Sequence, residues 1–199
     1  MKRLMKKFIL FLTIASLGIF IAGSSFASVY TFVPPDPSHD LYDLDHPYYY
    51  TWGINKAFES EITSAFLTIA DINDWTNETG DILYIHLLNT VPVGIRSYYD
   101  GQGGGDNFSG QGVLLGTYED KNPPYGNVIP GENITFNIPQ SSFSLMSDGN
   151  FGFGIDPDCH FYNRGIKLTV TTTPVPEPTS LMLLGMGVLG LFGFRKKAA

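Results

Sequence analysis

The apolar positions of this chain change their pattern twice. From residue 8 to about residue 22 they form an unbroken run behind four positive charges, Lys2, Arg3, Lys6 and Lys7. Across the body they alternate with polar residues or come in short bursts. From residue 179 to 194 they are continuous again, ahead of Arg195, Lys196 and Lys197. Within the body, Ala65, Leu67 and Ile69 share one face of the run 62–70, the period-two pattern of a half-buried strand. The run 82–88 is almost wholly apolar, which predicts a strand covered on both faces. A shorter strand is expected at 113–118, and another at 133–138, which alternates and stops at Pro139. Phe151, Phe153 and Ile155 alternate with glycines, and 165–173 places Ile166, Leu168 and Val170 on one face. Segments 29–33 and 48–54 read as edge strands, and 141–146 as a local helix or turn. About eight short antiparallel strands between turn residues predict a mainly β chain forming a single sandwich or barrel. The glycine-rich stretch 100–106 reads as a flexible loop. It lacks the strand-to-helix context of a phosphate cradle.

The two continuous runs have a different meaning from the body. Small residues at Ser25 and Ala27 follow the first run, and fit the groove of a signal peptidase cutting after Ala27. A charged start, a short apolar run and a small-residue site together make a secretory signal peptide at 1–27. At the other end, Pro176 and Pro178 flank Glu177 in a stiff, extended linker, because proline fixes its own φ and restrains the residue before it. Sixteen helical residues after it span roughly 24 Å, close to a hydrocarbon core. Arg195, Lys196 and Lys197 can snorkel and keep that end cytoplasmic. The chain thus divides into a leader (1–27), a β domain (28–173) and a tail (174–199) with an expected transmembrane helix at 179–194.

The order Val175, Pro176, Glu177, Pro178, Thr179, Ser180, then a Gly-rich apolar helix, then Arg195, Lys196 and Lys197, is similar to the PEP-CTERM sorting signals of Gram-negative bacteria. The resemblance implies recognition by an exosortase, a membrane cysteine protease, with cleavage near the Pro-Glu-Pro segment. It implies a precursor anchored in the inner membrane, then a product at the outer surface or in the extracellular matrix of a bacterium that makes exopolysaccharide.

Setting both ends aside sharpens the charge. Residues 28–173 keep five Lys and Arg against eighteen Asp and Glu, a net charge of −13. Nucleic acid is excluded as a partner by this sign, whereas divalent cations suit it. The one cysteine, Cys159, forms no internal disulfide, so the domain must stand on its core. It is either a small buried apolar residue or a free thiol.

A second resemblance covers residues 48–173. It rests on Ala65, Leu67 and Ile69 in one strand, Asp81 before the strand Ile82, Leu83, Tyr84, Ile85, a turn at Leu115 and Gly116, Phe136 and Ile138 in one strand, and Asp148-Gly149 before Phe151 and Phe153. This order resembles galactose-binding-like jelly rolls. The resemblance implies a jelly-roll sandwich, often with a structural calcium where the chain joins the fold.

Three constellations carry candidate chemistry. Asp36, His39, Asp40, Asp43, Asp45 and His46 follow a Pro-rich stretch, and calcium takes six to eight oxygens from carboxylates and carbonyls on such a bent loop. The spacing is not that of an EF-hand. Asp156, Asp158, Cys159 and His160, with Asn163 behind, form a loop between two strands. A calcium loop, a zinc or copper site using His160 and Cys159, and a rigid turn all fit it. The metal candidates are therefore Asp36, Asp40, Asp43, Asp45, Asp156, Asp158 and His160. The third constellation is aromatic: Tyr48, Tyr49, Tyr50, Trp52, Trp75, Tyr98 and Tyr99. Exposed rings stack on the apolar faces of sugars, and buried ones pack a core. Tyr98 and Tyr99, beside the glycine-rich loop, are the candidates for sugar contact.

No Gly-x-Ser-x-Gly, His-Glu-x-x-His or Walker motif is present. The expectation is a non-catalytic surface or matrix protein that binds calcium and polysaccharide, partnered in export by signal peptidase and exosortase. The alternative is an exported polysaccharide hydrolase or its accessory module, which needs two carboxylates about 5–10 Å apart in a cleft.

Overall fold

The computed structural model describes residues 26–35, 41–74, 81–101, 104–119 and 131–175, together with Gly185 and Gly187. The chain divides into two compact units, one of Ser28–Thr173 and one of Met1–Ala27 with Pro174–Ala199. Among the described residues the first unit holds eleven strands: β1 (Val29–Phe32), β2 (Asp43–Leu44), β3 (Tyr48–Asn55), β4 (Ile62–Asp74), β5 (Ile82–Asn89), β6 (Gly94–Tyr99), β7 (Val113–Glu119), β8 (Glu132–Asn137), β9 (Asn150–Pro157), β10 (Phe161–Tyr162) and β11 (Ile166–Thr172). A 3-10 helix, Gln140–Met146, precedes β9 and buries Met146. No described helix is long and apolar enough to cross a membrane, and the helix expected at 179–194 lies outside the described residues apart from helical Gly185 and Gly187.

Two antiparallel sheets form a sandwich. One has the order β1-β11-β4-β10-β2, with β8 on the other side of β4. The second has the order β6-β3-β9-β5-β7. Most successive strands cross from one sheet to the other, so neighbours within a sheet come from distant parts of the chain. This is the wiring of a double-sheet jelly roll. Alternation places Trp52, Ile54, Leu83, Ile85, Leu87, Phe151, Phe153 and Ile155 of one sheet against Ala65, Leu67, Ile69, Leu168 and Val170 of the other, in one buried cluster. The expected strand at 48–54 exists as β3 but is not an edge. It lies between β6 and β9, a position that sequence periodicity does not report.

The outer face of the second sheet is also covered, which explains the nearly continuous apolar run in β5. Phe108 lies over Gly154 and buries with Leu88 and Val91, flanked by Tyr49. A Cβ at position 154 would stand 2.7 Å from Phe108 Cδ2, so glycine is required there to admit the ring. Residues 104–112 therefore pack as a flap on this face, next to the stretch whose composition predicts a loop; residues 102 and 103 of that stretch lie outside the described residues.

Two further features aim the chain at one end of the sandwich. In β4 the register shifts between Ile69 and Ile72, with Asp71 at φ 52. Asn133 Oδ1 accepts the Asp71 N–H at 3.0 Å, and Arg164 pairs with the Asp71 carboxylate. Past this bulge β4 pairs with β10, opposing Asp74 to Phe161. β9 ends at Pro157, and Asp158, Cys159 and His160 carry the chain across to β10 in the other sheet.

Candidate functional site at the crossover from β9 to β10

Three groups of ligand-type side chains surround this crossover. The first clamps the flap to the sheet. Asp156, on the outward face of β9 and fully buried, accepts the Asn107 N–H at 2.6 Å through Oδ2 and the Asn107 amide at 3.4 Å through Oδ1. Asp158 Oδ1 accepts the Gly105 N–H at 2.7 Å. From β5, the buried His86 places Nε2 3.0 Å from Asp106 Oδ2 and Nδ1 3.1 Å from the Gln111 carbonyl. Asp106 Oδ1 also accepts the Phe108 N–H at 2.9 Å, a local turn bond of the kind Asp favours. Burial pushes the Asp156 carboxyl up to about 6, with the charges of Asp100 and Asp158 adding to the rise and the Asn107 bonds opposing it. Burial likewise raises Asp158, and Asp100 and Asp106 add to the rise. The flap is thus held by carboxylates that repel one another.

The second group joins segments far apart in sequence. Pairing of β2 with β10 sets Leu44 against Phe161 and Asp43 against Tyr162, which brings Asp45 and His46 beside His160. His46 Nδ1 lies 3.2 Å from His160 Nδ1, and the rings meet edge to face at 4.5 Å. His160 Nε2 lies 2.5 Å from Asp45 Oδ1, which is itself 3.7 Å from His46 Nδ1. The Tyr50 hydroxyl oxygen accepts the Asp45 N–H at 3.1 Å and fixes the turn. The side chains are 37% (Asp45), 39% (His46) and 17% (His160) exposed, so solvent reaches the group.

Asp74, Asp81 and Cys159 form the third group, all buried, with the Cys159 thiol 3.8 Å from Asp74 Oδ1. Cys159 and His160 therefore point into different groups, as adjacent residues in extended chain do, and share no site. Cys159 is a buried thiol that is in no disulfide.

The tyrosines frame the same end. Tyr48 of β3 faces Tyr99 of β6 edge to face at 6.3 Å, and Tyr49 stacks on Tyr98 at 5.2 Å. Tyr99 is 75% exposed, Tyr48 40% and Tyr98 38%. Asp100 follows directly and donates its N–H to the Pro47 carbonyl at 2.7 Å.

Of the sequence candidates, Asp45 and His160 meet. Asp43 is exposed in β2, Asp156 and Asp158 serve the flap, and Tyr98 and Tyr99 line the sheet edge. Asp36, Asp40, Pro176, Glu177, Pro178, Arg195, Lys196 and Lys197 lie outside the described residues, as does the expected leader cut after Ala27 on its Ser25 side. His86, Asp106 and Asn107 were not foreseen, because nothing local in 86 or 106–107 signals a contact between a strand and a flap. His46 was visible only as one member of an acidic segment.

Residues 174–197 match the PEP-CTERM protein-sorting motif. No curated protein matches the chain. The motif makes this an exported protein with a C-terminal sorting signal, processed by an exosortase.

Proposed function

We propose that the processed protein is a non-catalytic component of the cell surface or extracellular matrix that contacts polysaccharide along the β6 edge of its sheet, where tyrosines of β3 and β6 pair. The observation that carries this reading is the pair of cross-strand tyrosine contacts, with Tyr99 75% exposed on the terminal strand of its sheet. Aromatic rings paired in this way are held in place before a sugar arrives, so stacking costs little side-chain entropy. Asp156 and Asp158 favour binding over hydrolysis, because they bond the backbone of the flap instead of facing an open cleft.

Pull-down on exopolysaccharide from a host strain, using the full chain, tests the reading. Tyr99→Ala should lower retention severalfold with little change in melting temperature. Equal retention by this variant and the parent would remove the tyrosine edge from the proposal. Calcium belongs to the same reading as the counter-ion of a domain with net charge −13. Calorimetric titration with calcium should give heat, and chelator should lower the melting temperature. Absence of both effects would strike calcium from it.

A further inference from the structure

We propose that His46 and His160 are the ligands of a divalent transition-metal site, with Asp45 as the neighbouring carboxylate whose charge sets the His160 tautomer. The site goes beyond the polysaccharide reading and stands or falls without it.

Distances decide the roles. Nitrogen ligands lie about 2.0–2.1 Å from a zinc ion, so two of them at a tetrahedral angle are about 3.3 Å apart. The two Nδ1 atoms are 3.2 Å apart, which fits that span. Asp45 Oδ1 and His160 Nε2, at 2.5 Å, are too close for both to bind one ion. Asp45 Oδ1 is buried and accepts no hydrogen bond in this arrangement, so the carboxylate acts on His160 through its charge beside Nε2, which favours the tautomer with the proton on that nitrogen. With the proton on Nε2, His160 keeps its lone pair on Nδ1, the nitrogen that lies 3.2 Å from His46 Nδ1.

The chemistry of the set selects the ion. Two imidazoles suit zinc, copper or nickel, whereas calcium and magnesium take oxygen. The partial exposure of all three side chains leaves a path for the ion and room for water to complete its shell. The framework is also in place. Asp45 is tied through its N–H to the Tyr50 hydroxyl, and His160 is held by the pairing of β10 with both β2 and β4. The neighbouring group of Asp74, Asp81 and Cys159 is buried and separate, so it serves as an internal control.

Zinc uptake by the full chain, followed by competition with a chromophoric chelator, tests the site. The expected result is one equivalent bound, weakened tenfold or more by His46→Ala and by His160→Asn. Asp45→Asn should weaken it by about 10–100-fold, as loss of an outer-shell carboxylate does. Cys159→Ser should leave it unchanged. Copper(II) provides a readout that needs no variant, since its electron paramagnetic resonance spectrum should carry nitrogen coupling from two imidazoles. Absence of zinc uptake together with no nitrogen coupling would overturn the proposal. So would uptake that survives His46→Ala or is lost with Cys159→Ser.

Discussion

Asp156 is a carboxyl group whose fold favours its neutral form. It is buried, it lies near Asp100 and Asp158, and its value rises from 3.8 to about 6. A carboxyl held higher in the folded chain than in the unfolded one binds its proton more tightly when folded. Stability then falls as pH rises from about 4 to about 6, and the cost is complete above that window. Asp158, raised in the same direction, adds to the trend. Asp156→Asn keeps a carbonyl for the Asn107 N–H and removes the charge. Thermal melts across pH should show a flatter profile for this variant, with its advantage over the parent largest above pH 6 and shrinking towards pH 4. A parent profile that rises through this window would contradict the assignment.

At the scale of elements, the flap and β9 depend on one missing side chain. Gly154→Ala brings a methyl group to 2.7 Å from Phe108 Cδ2, so the ring must leave the sheet. Overpacking of this kind costs about 1–3 kcal/mol. Denaturant melts should show that loss, and the amides of Gly105 and Asn107 should exchange faster as the flap lifts. A variant as stable as the parent, with unchanged exchange, would show that Phe108 does not hold the flap. The strands themselves were legible because burial on one face writes a period of two into the sequence: Ala65, Leu67 and Ile69 in β4, and Ile166, Leu168 and Val170 in β11. The stretch 141–146 was legible too, and became the 3-10 helix. β6 was missed, since Gly94–Tyr99 has four exposed residues at its end and no alternation to read. The packing of 104–108 was not legible, because the four glycines of 100–106 read as a loop and Phe108, which buries against the sheet, lies beyond them.

For the whole molecule, the tail determines destination and the β domain determines what arrives. Residues 174–197 are read by an exosortase in the membrane, so sorting is separable from the domain. Replacing Pro176, Glu177 and Pro178 together with alanine should leave an unprocessed, heavier precursor on immunoblots of cell fractions. The parent chain should give the same precursor in a strain lacking its exosortase. Normal processing of the triple variant would place recognition elsewhere in the tail. The acidic surplus behaves differently: it belongs to the body, and the whole-chain charge of −7 understates it because most basic residues lie in the terminal segments.

Local sequence by itself determined the β class, most strands and the sorting signal, because each is written in a short window: a period of two, an apolar run, or three residues beside a basic end. It also placed Asp45 and His160 among the metal candidates on side-chain type alone. Only the tertiary structure decided that these two meet each other and His46. His46 and His160 are 114 residues apart, and their contact depends on β2 pairing with β10 at one register. Alternation tells a side chain which face of its strand it occupies and says nothing of which strand lies alongside. The same limit hid His86 and Asp106, whose pairing exists because a flap folds over β5.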